Sequence, residues 1–134
     1  MEVLTLKEIA KALNTKTDFD VKINAVCIDT RKITKGCLFI CIKGERFDAH
    51  QFANEALSLG AAAVMISEDI EVNGAFVKVE NTSKALLDLS AYYRSKFNIP
   101  VVALTGSVGK TTTKEFTYLV VNSKFNAIKT QGNL

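Results

Sequence analysis

Apolar positions along this chain recur in two alternating rhythms, one helical and one extended. In residues 5–14, Leu6, Ile9, Ala10 and Leu13 fall on one helical face, with Thr5 as cap and Glu8 in reply. Residues 21–28 read as a strand closed by the polar Asp29, Thr30 and Arg31. Gly36 turns the chain into CLFICI, residues 37–42. That unbroken apolar run has strand length and predicts a strand covered on both faces. Helical spacing returns over 49–59 through Phe52, Ala56 and Leu59, and Gly60 closes it. Residues 62–66 and 76–79 predict two more strands. Asn81-Thr82-Ser83 offers a cap for a helix over 83–97, with Leu86, Leu87, Leu89, Tyr93 and Phe97 as its apolar side. After Asn98-Ile99-Pro100, residues 101–104 (VVAL) predict a strand, 106–109 a loop, 110–121 a helix, and 125–129 the start of another strand.

Strands alternating with helices predict an α/β fold with parallel neighbours and helices on the faces. The Asn98-Ile99-Pro100 break is the expected boundary. It separates a complete α/β pattern, residues 1–97, from a single β-loop-α unit and a fragment, residues 98–134.

Composition narrows the classes. With 48% apolar residues, the 134-residue chain can pack a core, and a net charge of +3 without any basic cluster leaves no nucleic-acid footprint. Cys27, Cys37 and Cys41 lie in apolar runs, form no Cys-x-x-Cys pair and have only His50 as a potential companion. Buried thiols in a reducing cytosol are expected rather than a zinc site. Charges interrupt the N-terminal stretch, so no signal core is expected. No run approaches the roughly 20 apolar residues of a membrane helix.

The stretch that carries chemistry is TGSVGKTTTKE, residues 105–115. Strand, glycine turn and helix in that order form the context of a phosphate cradle. Gly106, Ser107, Val108 and Gly109 supply a loop with accessible backbone amides. The helix start adds unpaired N–H groups and a positive dipole end. Lys110 can reach the β- and γ-phosphates, Thr111 can offer its hydroxyl to Mg²⁺, and Thr112 can assist at phosphate oxygens. A glycine turn capped by threonine would explain Gly-x-x-Gly alone. Lys-Thr-Thr in the first helical turn favours a nucleotide. Leu104 stands where the common eight-residue loop has its first glycine, so a variant loop is expected.

The variant Thr-Gly-Ser-x-Gly-Lys-Thr resembles the nucleotide loop of the Mur ligases, the ATP-dependent enzymes of bacterial peptidoglycan precursor synthesis. DTR (29–31), KGCLFICIKGERFDAHQF (35–52), GAAAVM (60–65) and TQGNL (130–134) are similar to motifs of one branch, in the same order. That branch joins D-alanyl-D-alanine to UDP-N-acetylmuramoyl-tripeptide. The resemblance implies a UDP-binding N-terminal domain over 1–97, followed by the first β-loop-α unit of a P-loop ATPase domain over 98–134. It implies ATP and Mg²⁺ as cofactors, Lys110 as the catalytic lysine, and Gly106 to Thr112 as the nucleotide loop, with Thr111 toward the metal. The whole enzyme would activate the tripeptide carboxylate as an acyl phosphate, which the amine of D-alanyl-D-alanine then attacks. Family members are much longer, multi-domain chains, so the 134 residues by themselves are expected to be inactive.

The same resemblance makes Thr30 a candidate partner of the uridine diphosphate, Arg46 of its phosphates, and Phe47 of uracil. Read from the residues alone, 29–31 is better explained as a capped turn with a local Asp–Arg pair, and Phe47 can be tucked into the core. His50, near a helix start, reads as a cap or surface residue. Two other readings stay open: a non-catalytic UDP-sugar-binding module, and the sister ligase that forms the tripeptide. A small P-loop kinase fits poorly, because it would leave the first hundred or so residues unexplained.

Overall fold

The computed structural model describes residues 2–45 and 47–131. The chain divides into two compact units, Met1–Phe97 and Asn98–Leu134.

In the first unit, β1 (Leu4–Thr5) leads into α1 (Leu6–Ala12), whose N-cap Thr5 accepts from Glu8 N at 3.1 Å. Glu8 does not complete a capping box. Its carboxylate accepts instead from Tyr92 Oη at 2.7 Å and from Lys96, clasping α1 to α3 (Thr82–Ser95). The strand predicted over 21–28 is two strands in different sheets. Of these, β2 (Lys22–Ile23) pairs antiparallel with β1, and β3 (Ala25–Cys27) pairs parallel with β4 (Cys37–Ile40). Asn24 lies at the break, where its N–H donates to Gly36 O at 3.1 Å and its Nδ2 to Lys35 O at 3.0 Å. Gly36 has φ +86°, a left-handed backbone that reserves the position for glycine, and a Cβ there, 2.7 Å from Asn24 Nδ2, would also displace that amide from its bond to Lys35 O.

The larger sheet runs β3-β4-β5-β6, all parallel, with β5 at Ala63–Ile66 and β6 at Phe76–Lys78. Both β4 and β5 are buried throughout, as their unbroken apolar runs predict. Their side chains alternate between two cores. Leu38, Ile40, Ala63, Met65 and Val77 pack with Leu6 and Ile9 of α1 and Ala85 and Leu89 of α3. Cys37, Phe39, Cys41, Val64 and Ile66 pack on the other face with Ala53 and Ala56. The latter belong to α2 (Ala53–Ser58), which continues a 3₁₀ turn at Ala49–Phe52. Each fully buried Leu, Ile, Val, Phe or Met side chain contributes roughly 1.5–3 kcal/mol, so these faces dominate the stability of the unit. Along α3, Leu87 is 70% exposed. It lies about 200° around the helix from Leu89, which is buried, so it cannot share that face. The outer edge of β6 is closed by Thr15 and Thr17, whose hydroxyls donate to Lys78 O and Phe76 O at 2.8 and 2.7 Å.

In the second unit, α4 (Lys110–Asn122) has no buried residue, and residues 98–113 are all exposed. The strands predicted at 101–104 and 125–129 are not formed. A strand requires a neighbour to share its backbone hydrogen bonds, and none pairs with these segments among the described residues. Within this unit Val102, Leu104, Tyr118, Val121 and Ile128 surround a hollow of about 150 Å³. Lys129 pairs with Glu115 and lies over the Tyr118 ring, 4.5 Å from its centroid. Among the described residues no helix is long and apolar enough to cross a membrane.

Candidate functional site

Parallel strands deliver all their following loops to one edge of the sheet, which is where ligands of open α/β sheets are held. The segment after β3 carries Thr30 and the loop after β4 carries Phe47, so two of the predicted binding residues leave neighbouring strands at that edge. Arg46 lies outside the described residues.

Asp29 N-caps a short 3₁₀ helix, Thr30–Lys32. Its Oδ1 accepts from Arg31 N at 3.0 Å and Nε at 2.9 Å, and its Oδ2 accepts from Nη2 at 2.7 Å. The capped turn with an Asp–Arg pair is therefore present. It leaves the half-buried Thr30 hydroxyl without a hydrogen-bond partner among the described residues. The Arg31 side-chain hydrogen bonds, then its backbone amide, hold the Asp29 carboxyl at about 2. A carboxylate depressed in this way contributes to stability above its ordinary value of 3.8, and the contribution is lost as pH falls toward 2. An NMR titration should place the Asp29 midpoint near 2, and Arg31→Met should return it toward 3.8. A midpoint unaffected by that substitution would show that the pair does not persist in solution.

Phe47 is 58% exposed rather than tucked into the core. Its ring stacks on Phe52 with centroids 5.6 Å apart and planes at 19°, leaving an aromatic platform at the loop tip. The loop is closed by Gly44 N donating to Phe47 O at 2.8 Å and Ala49 N to Ile42 O at 3.0 Å.

His50 is buried, contrary to the surface or capping role its solitary position implied. Ser67 N–H donates to Nε2 at 2.9 Å, which assigns the ring proton to Nδ1, where it meets Asp48 Oδ1 at 2.5 Å. Asp48, not His50, is the cap of the 3₁₀ turn, accepting from His50 N at 2.9 Å. The Asp48-x-His50 spacing could have signalled this cap, but nothing local signals Ser67.

A cleft of about 620 Å³ opens at the far end of the same edge, lined in part by Thr15, Ser67, Lys78, Asn81, Lys84 and Asp88. Neither Thr30 nor Phe47 lines it. Its two lysines are already paired, Lys78 with Asp69 and Lys84 with Asp88, so it offers an anion little. The loops after β3 and β4 are the stronger candidates for a nucleotide diphosphate.

In the second unit, Gly106 and Gly109 have φ of +152° and +78°. Gly109 is the N-cap of α4, and no side chain caps the helix there. A Cβ on Gly109 would meet nothing within 4 Å, so the left-handed backbone rather than crowding reserves it for glycine. Ser107 and Val108 form the bend between the two, and Val108 is 89% exposed. Lys110 Nζ folds back to donate to Gly106 O, which brings its ammonium over the loop. Thr111 and Thr112 occupy the exposed first turn. Glycine backbone, an uncapped helix start and an overlying ammonium suit the phosphates of a nucleotide.

A parallel α/β unit followed by a glycine loop at a helix start fits the broad class of α/β nucleotide-binding proteins. The model of the Mur ligase family, catalytic domain, matches residues 22–105, and the chain belongs to that family. It is 42% identical over 132 residues to the UDP-N-acetylmuramoyl-tripeptide–D-alanyl-D-alanine ligase of Escherichia coli K12. That match takes in 98% of this chain and 29% of the relative. A crystal structure of MurF from Acinetobacter baumannii superposes with a TM-score of 0.85 at 32% identity, over 92% of this chain and 28% of the other. MurF from Thermotoga maritima, in complex with ADP, gives 0.75 at 34% identity over 83% and 26%. The chain thus spans under a third of the length of the proteins it matches.

Proposed function

We propose that this chain forms the UDP-binding domain and phosphate loop of a ligase that adds D-alanyl-D-alanine to UDP-N-acetylmuramoyl-tripeptide. The observation that carries this reading is the 42% identity to the E. coli ligase across 98% of the chain, joined to the glycine-loop geometry at Gly106 to Lys110. Residues 1–97 hold the uridine diphosphate end, through the Thr30 hydroxyl, Arg46 and the Phe47 platform. Residues 106–112 hold ATP, with Gly106, Ser107, Val108 and Gly109 presenting amides, Lys110 balancing phosphate charge, and Thr112 assisting. Thr111 supplies one hydroxyl ligand for Mg²⁺. Its remaining ligands lie elsewhere, since the first turn of α4 holds no acidic residue. ATP supplies the activation of a carboxylate. The protein's own part is to orient phosphate, offset its charge with Lys110, and fix the substrate's far end so that binding energy remote from the reacting carboxylate positions it. Three buried free thiols suit a reducing cytoplasm.

Thr30→Val tests the uridine site. Losing the hydroxyl should weaken binding of the UDP-substrate by about 0.5–1.5 kcal/mol in calorimetry. An unchanged dissociation constant in a folded variant would assign Thr30 to the capped turn alone.

A further inference from the structure

Four side chains and one peptide close a ring around the loop after β4. Glu68 Oε1 accepts from Lys43 Nζ at 2.8 Å, and Lys43 Nζ lies 3.9 Å from Asp48 Oδ2. Asp48 Oδ1 accepts from His50 Nδ1 at 2.5 Å, and His50 Nε2 accepts from Ser67 N at 2.9 Å. The Ser67–Glu68 peptide completes the circuit. The ring therefore spans both stems of the loop, at Lys43 and at Asp48 and His50, and fastens them to the chain just beyond β5. Phe47 is carried on the enclosed turn.

The geometry points to Glu68, Lys43, Asp48 and His50 as positioning residues that hold the Phe47 loop in its ligand-binding shape. This rests on the reading of that loop as part of the uridine diphosphate site. Several features single out a positioning device. The ring is charged yet organised around a buried imidazole whose two nitrogens are both engaged. Its carboxylates face inward to partners on the chain. Asp48 spends one oxygen on both the His50 amide and the ring, so turning the loop would break the cap and the imidazole contact together. A loop already shaped for its ligand does not lose conformational freedom on binding, and that saving appears as affinity.

Glu68 makes the discriminating test, because an anion cannot itself hold a diphosphate. Deleting it removes a negative charge near an anionic ligand, so simple Coulomb attraction predicts tighter binding. Loss of loop positioning predicts the reverse. In the full 134-residue chain, Glu68→Ala should weaken calorimetric binding of uridine 5′-diphosphate by roughly tenfold, the factor equivalent to about 1.4 kcal/mol. The Gly44 and Ala49 amides should exchange faster, with the thermal midpoint of the unit little changed. Equal or tighter binding by Glu68→Ala, or unaltered exchange at Gly44 and Ala49, would overturn the inference while leaving the uridine site standing. Absence of uridine diphosphate binding by the unaltered chain would instead overturn the uridine reading and the positioning role with it. Substitution of the half-buried Glu68 is preferred to His50→Ala, which would hollow a buried site and risk the fold.

Discussion

Lys110→Ala, made in a full-length ligase that contains this chain, is expected to lower substrate-dependent phosphate release by at least about 10²–10³, the loss typical of removing one charge-stabilising group from a reacting centre. The reason lies in the loop. Gly106 and Gly109 hold a left-handed backbone around it, and Lys110 is the cation whose ammonium folds over it, reaching Gly106 O. Arginine is a poor substitute, because a planar fork cannot replace a compact ammonium in so short a turn. Affinity for the UDP-substrate should remain within about twofold, since its candidate contacts belong to the other unit. Steady-state phosphate release and calorimetry on the same preparation check both halves. Wild-type turnover in the variant would remove Lys110 from the mechanism. A parallel loss of UDP-substrate binding would show that the two sites are not separate.

A chain ending at Phe97 should unfold cooperatively on heating, and in the full chain the two units should differ greatly in hydrogen exchange. Amides of β4 and β5 sit between two packed cores and open only with global unfolding. For a domain of ordinary stability, about 5 kcal/mol or more, that means protection of about 10⁴ or more. Residues 98–113 are exposed throughout, and α4 buries no side chain. An unsupported helix of that length is marginal in water, so amides over 110–122 should exchange nearly as fast as in a peptide. A cradle held so loosely should not turn over ATP, and the 134 residues alone are expected to release no phosphate above background. A molten or insoluble 1–97 chain would place the boundary elsewhere. Strong protection over 110–122 in a monomer would show that the loop has support of its own.

Much of the fold was legible because its signals are local. CLFICI and AVMI are strand-length apolar runs, and runs of that kind need cover on both faces wherever they are placed. Thr5 and Asn81 cap the helices that follow them. Other features were illegible for an equally physical reason. Residues 21–28 show one continuous strand pattern, yet Ile23 pairs with Leu4 and Ala25 with Cys37. Strand pairing is chosen by distant segments, so no local pattern reveals the break at Asn24. Residues 101–104 have strand propensity and no strand, because propensity without a neighbour leaves backbone groups to water.

The candidate site divides along the same line. The sequence by itself supplied the candidate phosphate loop, since glycines at 106 and 109 and a lysine at 110 lie close together along the chain and the proposal rests on their spacing. It also determined the family, through motifs read in order. Only the tertiary structure decided that Thr30 and Phe47 leave one edge of a parallel sheet, that Phe47 is an exposed platform, and that His50 is buried between Asp48 and Ser67. The shared edge depends on β3 lying parallel beside β4, and the His50–Ser67 contact on β5 lying beside β4. Side-chain type and spacing specify what a residue can do, whereas its burial and partners are set by whichever distant segments the packed core brings against it.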